Sequence, residues 1–134
     1  MKLFNKSYFD TLVKYMKDAL SPNINIYEKG KDSFVILEDG SNISEDKFTQ
    51  INFRFENETL IIPWFYLKKP NQGIGSKMIS WFISFCETNN IKNIEIRGVN
   101  QDKEGMIKLL NKFEFTLIRI KEDKYLDYNK KISV

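Results

Sequence analysis

Lys68-Lys69-Pro70-Asn71-Gln72-Gly73-Ile74-Gly75-Ser76-Lys77 joins two apolar segments of different period. Before it, Thr59 to Lys68 is apolar on both faces, the pattern of a central strand. After it, Met78, Ile79, Trp81, Phe82, Ile83, Phe85 and Cys86 make a helix, opening at about Ser76, that is apolar nearly all round and therefore buried. A loop leaving a buried strand for a buried helix points unpaired N–H groups and a partial positive charge at whatever lies before the helix. Gly73 and Gly75 remove side chains where a charged ligand would approach the backbone. Lys68, Lys69 and Lys77 add positive charge. A phosphate or pyrophosphate is the expected guest, although two glycines at this spacing also serve a plain tight turn.

The glycine pattern narrows the choice of loop. A Walker loop requires G-x-x-x-x-G-K-[ST], and here no glycine stands five before Gly75. A dinucleotide fingerprint requires a third glycine where this chain has Met78. Glu95 lies about 20 residues on, where a ribose-binding acid is expected, but it falls in mid-strand, and four strands precede the loop. A nucleotide-binding protein is the minor alternative.

Outward from the loop, the chain alternates clear periods. Phe9, Leu12, Val13, Met16, Ala19 and Leu20 form one helical face over Ser7 to Leu20. Ser7 is the expected cap, and Ser21-Pro22 the stop. Strands are expected at Ile24 to Glu28, at Phe34 to Leu37 before the turn pair Asp39-Gly40, and at Phe48 to Phe55. Glu56-Asn57-Glu58 turns into the fourth strand. Pro63 inside that strand cannot donate to a ladder, which predicts a bulge. Beyond the buried helix come a fifth strand from Ile91 to Val99 and a helix from Asp102 to about Phe113. A last hairpin runs from Phe115 to Ile132 across Glu122-Asp123-Lys124. The helix crossover makes the fourth and fifth strands a parallel pair. The class is α+β: a mixed, mostly antiparallel sheet of about seven strands with three helices. Residues 1–134 are expected to form one domain.

Composition removes whole mechanisms. The chain has no histidine and one cysteine, Cys86. Triads with an imidazole base are excluded, as is a Cys/His zinc site, and no metal ligands are expected. A net charge of +3 is spread with alternating sign, which argues against nucleic acid as partner. Neither a signal-type apolar stretch nor a run of about 18 apolar residues is present. No membrane partner and a cytoplasmic location are therefore expected.

The segment from Asn71 to Ile79 resembles the acetyl-CoA loop of the GNAT superfamily of N-acetyltransferases, usually Q/R-x-x-G-x-G/A. The segment Met106 to Phe115 is similar to that family's late helix and following turn, commonly A-x-x-L-Y-x-x-x-G-F. The element order resembles the family along nearly the whole chain. The resemblance implies a GNAT-like sheet with the parallel pair splayed in its middle, acetyl-CoA as acyl donor and an amine as acceptor. It implies donor binding by Gln72, Gly73, Ile74, Gly75, Ser76 and Lys77, with backbone groups of Phe65 and Leu67 toward the thioester. Homodimers are common in that family.

This chain departs from the family pattern in three places. Pro70 stands at the position of the motif's Gln or Arg. Leu110 stands where many members carry a tyrosine acid. Ile61 stands where many carry a glutamate base. The base and acid are thus unassigned, with Glu95 and Tyr66 as the substitutes. A lysine amine costs about 4.6 kcal/mol to deprotonate at pH 7 and an α-amine only about 1, so an acceptor of low pKa is favoured. The functional expectation is transfer of an acetyl group from acetyl-CoA to a primary amine of a small molecule or peptide. The alternative is a catalytically weak, acyl-CoA-binding regulatory module.

Overall fold

The computed structural model describes residues 2–40, 49–67 and 73–132. A 3-10 turn at Lys6–Phe9 leads into α1 (Asp10–Ala19), followed by β1 (Ile24–Glu28), β2 (Ser33–Glu38), β3 (Gln50–Glu56) and β4 (Thr59–Tyr66). Then come α2 (Ile74–Thr88), β5 (Asn93–Asn100), α3 (Glu104–Lys112), β6 (Thr116–Lys121) and β7 (Tyr125–Lys131). The strands form one sheet in the order β1-β2-β3-β4-β5-β7-β6. Only β4 and β5 pair in parallel; every other neighbouring pair is antiparallel.

Alternation sorts each strand into two faces. Phe34 and Ile36, Ile51, Phe53 and Phe55, Leu60 and Ile62, Ile94 and Ile96, and Leu126 and Tyr128 enter one hydrophobic cluster. The helices meet them there with Phe9, Leu12 and Met16, with Met78, Phe82 and Cys86, and with Leu110. Phe9 is the hub of an aromatic network, with ring centroids 4.9 Å from Phe34, 5.0 Å from Phe53 and 5.1 Å from Phe85. The opposite face carries Tyr27, Asn52, Arg54, Glu95 and Asp127 around the buried Val35 and Ile61.

The tight turns use left-handed backbone without asparagine-glycine pairs. Asn57 and Glu58 (φ 49° and 62°) join β3 to β4, and Glu122 and Asp123 (φ 54° and 55°) join β6 to β7. Paired positive φ values match the right-handed strand twist. At the β1–β2 turn, the buried Asp32 accepts the Leu3 and Phe4 N–H groups at 2.8 and 2.9 Å, which ties the N-terminal stretch to the sheet.

Several boundaries differ from the sequence expectation. The cap of the first helical segment is Asn5, whose Oδ1 accepts the Ser7 N–H at 3.1 Å; Ser7 donates its hydroxyl to the same oxygen. The Asn5 side chain, two residues earlier, thus takes the capping place expected of the serine. β5 begins at Asn93 instead of Ile91, because the Lys92 and Asn93 amides bond Glu58 O at the turn into β4. α3 begins at Glu104, because the Asp102 N–H bonds Asn100 Oδ1 in the preceding turn. Phe48, expected to open β3, lies outside the described residues. Cys86 is fully buried, and burial pushes its thiol up to about 12. No helix among the described residues is long and apolar enough to cross a membrane.

Candidate functional site

The central parallel pair is short. β4 and β5 pair from Thr59↔Asn93 to Ile62↔Ile96 and then part. Both strands bulge where they part. On β4, the register with β3 passes from Arg54↔Ile61 to Asn52↔Trp64, so Ile62 and Pro63 share the single partner Phe53. The bulge expected at Pro63 is there. On β5, the register with β7 passes from Ile96↔Tyr128 to Val99↔Leu126, so Arg97 and Gly98 face Asp127.

Pro63 has no N–H to give β5. Gly98 adopts φ +69°, a backbone other residues rarely take, and a Cβ there would stand 3.9 Å from Pro63 O. Beyond this point Trp64, Phe65 and Tyr66 pair only with β3, and Val99 and Asn100 only with β7. The result is a V-shaped opening in mid-sheet.

The bulge on β5 is held from β7. Asp127, with no exposed side-chain surface, accepts the Gly98 N–H at 2.9 Å and the Arg119 Nε at 2.7 Å, with Lys121 Nζ at 3.4 Å. Burial pushes its carboxyl up, but the Gly98 N–H, Arg119 and Lys121 outweigh burial and leave it below the ordinary aspartate range. Arg119 also reaches Glu95 at 3.4 Å, and Glu95 pairs with Arg97.

The start of α2 lies beside the V. Gly73 caps the helix with φ 73° and ψ 1°, and a Cβ on it would meet nothing within 4 Å. Gly75 is different: a Cβ there would press on Leu109 Cδ2 at 3.1 Å and approach Leu67 Cδ1 at 3.7 Å. Its missing side chain lets α2 close onto α3 and the end of β4, which corrects the expectation that it clears room for a ligand. The helix opens at Ile74, two residues before the expected Ser76, because buried Ile74 anchors its first turn. Lys77 N–H makes the first bond back, to Gly73 O at 3.2 Å. The N–H groups of Ile74, Gly75 and Ser76 have no acceptor among the described residues.

The side chains named in advance are distributed as follows. Phe65 is half-buried against the core, and Leu67 follows β4 and touches the Gly75 position. The ring of Tyr66 lies under the Lys103 ammonium at 5.6 Å. Glu95 pairs in register with Ile61, one residue before the V opens, and its side chain is 14% exposed. The Lys77 ammonium stands 5.6 Å over the Tyr15 ring of α1, and Lys112 of α3 instead reaches Ser76 Oγ at 3.4 Å. Gln72, with Lys68, Lys69, Pro70 and Asn71, lies outside the described residues. Leu110, at the place of the family's tyrosine, is fully buried in the core.

Sequence reasoning missed Gly98, Asp127 and Lys112. An isolated glycine inside a strand pattern is a bulge signal, and Gly98 was legible by that rule. Asp127 offered only a lone acid among alternating residues. The helix-free face also holds a groove of about 550 Å3 over β1 to β4 that ends at Pro63.

No family model and no curated protein sequence matches the chain. Solved structures do. The N-acetyltransferase PseH of Campylobacter jejuni superposes with TM-score 0.58 at 14% identity over 97% of this chain and 84% of its own; PseH is also known in complex with acetyl coenzyme A. Ard1 from Thermoplasma volcanium gives 0.57 at 14% identity, over 98% of this chain and 95% of its own. The ribosomal-protein-S18-alanine N-acetyltransferase from Escherichia coli gives 0.57 at 12% identity, over 90% and 77%. With the seven-stranded order, the parallel pair in mid-sheet and the opening beside α2, these likenesses establish that the chain has the fold of the GNAT N-acetyltransferases.

Proposed function

We propose that the protein transfers an acetyl group from acetyl-CoA to a primary amine of a small molecule or peptide, as one domain acting in the cytoplasm. The observation that carries this reading is the V between β4 and β5, opening at Pro63 and Gly98 beside the first turn of α2. The residues fit the donor. The Gly73 position leaves open space, three amides at the start of α2 have no acceptor among the described residues, and Lys112 stands beside Ser76. A diphosphate would be held by those amides and by Gln72, Gly73, Ile74, Gly75 and Ser76, with Lys77 adding field from the next turn.

Acetyl-CoA supplies an activated acyl group as a thioester. The chain's part is to bind the extended arm of the donor along the open strand edge and to aim backbone N–H groups of Phe65 or Leu67 at the thioester oxygen. Such donors are worth about 3–4 kcal/mol each when they meet developing charge. No imidazole is needed for this, in keeping with a chain that has none. Glu95 and Tyr66 are the side chains proposed to handle protons, Glu95 at the closed end of the V and Tyr66 on its β4 edge.

A weak, acyl-CoA-binding regulatory module is the second reading, and one observation favours it: Glu95 is engaged by both Arg97 and Arg119. Thiol release from acetyl-CoA across an amine panel separates the two readings. Release with some amine establishes an enzyme; donor binding without release establishes the module.

Binding itself is tested by thermal shift. Acetyl-CoA at 100 times its Kd is expected to stabilise the protein by about 2.7 kcal/mol. No shift with acetyl-CoA, and a shift with ATP or NAD, would overturn the proposal. Ser76→Glu sharpens the test. An acid in the first turn favours the helix by about 0.3–1 kcal/mol, so the variant folds, yet it opposes a diphosphate. Its affinity for acetyl-CoA is expected to fall roughly tenfold or more, a loss of about 1.4 kcal/mol or more.

A further inference from the structure

We infer that the groove on the helix-free face receives the acceptor, and that it selects a small amine carrying an anionic group, carboxylate or phosphate, held by Arg54 and Lys29. The inference rests on the transferase reading and adds the substrate class. The groove spans β1 to β4, three strand spacings or about 14 Å, and its volume of about 550 Å3 suits a ligand from amino-acid to phosphosugar size. Pro63 lines its inner end. Two lining residues straddle that end: Arg54 pairs with Ile61 just before the bulge, and Asn52 with Trp64 just after it. An amine lodged at Pro63 is therefore at the V, with Arg54 on the neighbouring strand.

The charges in the groove are not balanced. Lys29 has no ion-pair partner among the described residues. Arg54 bonds Glu56 through Nε, which leaves both of its Nη groups to offer the two-pronged contact that fits carboxylate or phosphate. The acid in the lining, Asp39, already accepts the Tyr27 hydroxyl and the Asn25 amide. Gln50 and Asn52 bond each other at 2.9 Å. The charged groups of the lining left to meet a ligand are thus Lys29 and the Nη groups of Arg54, beside the neutral hydroxyl of Ser33 and the remaining amide atoms of Gln50 and Asn52. They attract an anionic substituent and disfavour an ammonium, so the amine is pressed toward its neutral, nucleophilic form. In the transfer, the amine nitrogen bonds the acetyl carbon as the carbon–sulfur bond breaks. The amine gives up one proton, to Glu95 or to solvent, and the departing thiolate takes one up, from Tyr66 or from solvent, so that CoA leaves as its thiol.

The test pairs amines that differ only in the anion: alanine against ethylamine, and glucosamine 6-phosphate against glucosamine. Thiol release and thermal shift are read in the presence of acetyl-CoA. In at least one pair the anionic member is expected to exceed its neutral partner by tenfold or more in kcat/KM. The carboxylate and phosphate arms show which anion is meant. Arg54→Gln is expected to erase the preference through KM while leaving the acetyl-CoA shift intact, and Arg54→Lys to restore part of it. Equal or better use of the neutral amines, or an unchanged preference in Arg54→Gln, overturns the inference. The same holds if no anionic amine is either turned over or bound. If acetyl-CoA itself gives no shift, the transferase reading is what fails.

Discussion

Asp127→Ala is expected to lower the thermal midpoint by roughly 8–12 °C, the equivalent of about 2–3 kcal/mol for a chain of this size. The side chain has no exposed surface, and its oxygens serve the Gly98 amide, Arg119 and Lys121 at once. Its loss strands a half-buried backbone donor, at about 1–3 kcal/mol, and breaks an ion pair whose other member, Arg119, is 43% exposed and recovers part of its hydration. The damage falls on the β5 bulge, so thiol release should suffer through the KM for acetyl-CoA as well.

The pH dependence of the same residue follows from its lowered carboxyl. Its folded value lies below the unfolded value of about 3.9. The stabilisation is therefore complete above about pH 4 and is lost as pH falls through the folded value. Asp127→Asn should differ from the parent most at neutral pH, and the gap should close in acid. A gap that does not change with pH would mean that shape, not charge, holds Gly98.

Phe9→Ala carries the second large effect, about 3–5 kcal/mol. Phe9 is 0% exposed and touches Phe34, Phe53, Phe85 and Trp81, with centroids at 4.9–5.9 Å. Truncation leaves a void walled by rings from the sheet and from α2, and rings cannot collapse into it without leaving their rotamers. Chemical denaturation should show a lower midpoint, and near-ultraviolet circular dichroism a weaker aromatic signal. A cost under about 1 kcal/mol would mean that the cluster repacks freely, unlike the usual large-to-small change.

The architecture was readable because its signals are local and periodic. Ile51, Phe53 and Phe55 alternate; Leu12, Val13 and Met16 repeat at helical spacing; Pro63 forbids a ladder bond wherever it falls. The parallel pair followed from the intervening helix alone. What sequence did not disclose depends on contacts between distant segments. Asp127 gains its importance from Gly98, 29 residues away, and Lys112 from Ser76, 36 away. Gly75 looked like a ligand-facing glycine because one chain carries no record of Leu109 lying against it. Lys77 and Glu95 were placed correctly along their elements, but their partners, Tyr15 and the two arginines, are set by packing.

β6 ends the sheet, with all six residues exposed, among them Leu117, Ile118 and Ile120. Such an edge is a template on which another molecule's strand can add. Its register with β7 shifts between Leu117 and Arg119, so Ile118 stands out of the ladder and interrupts the straight row of donors and acceptors that an incoming strand would need. Arg119 and Lys121, drawn onto Asp127, add charge along the same margin. The residue that holds the β5 bulge on one side thus also gathers the charges along the rim of the sheet on the other.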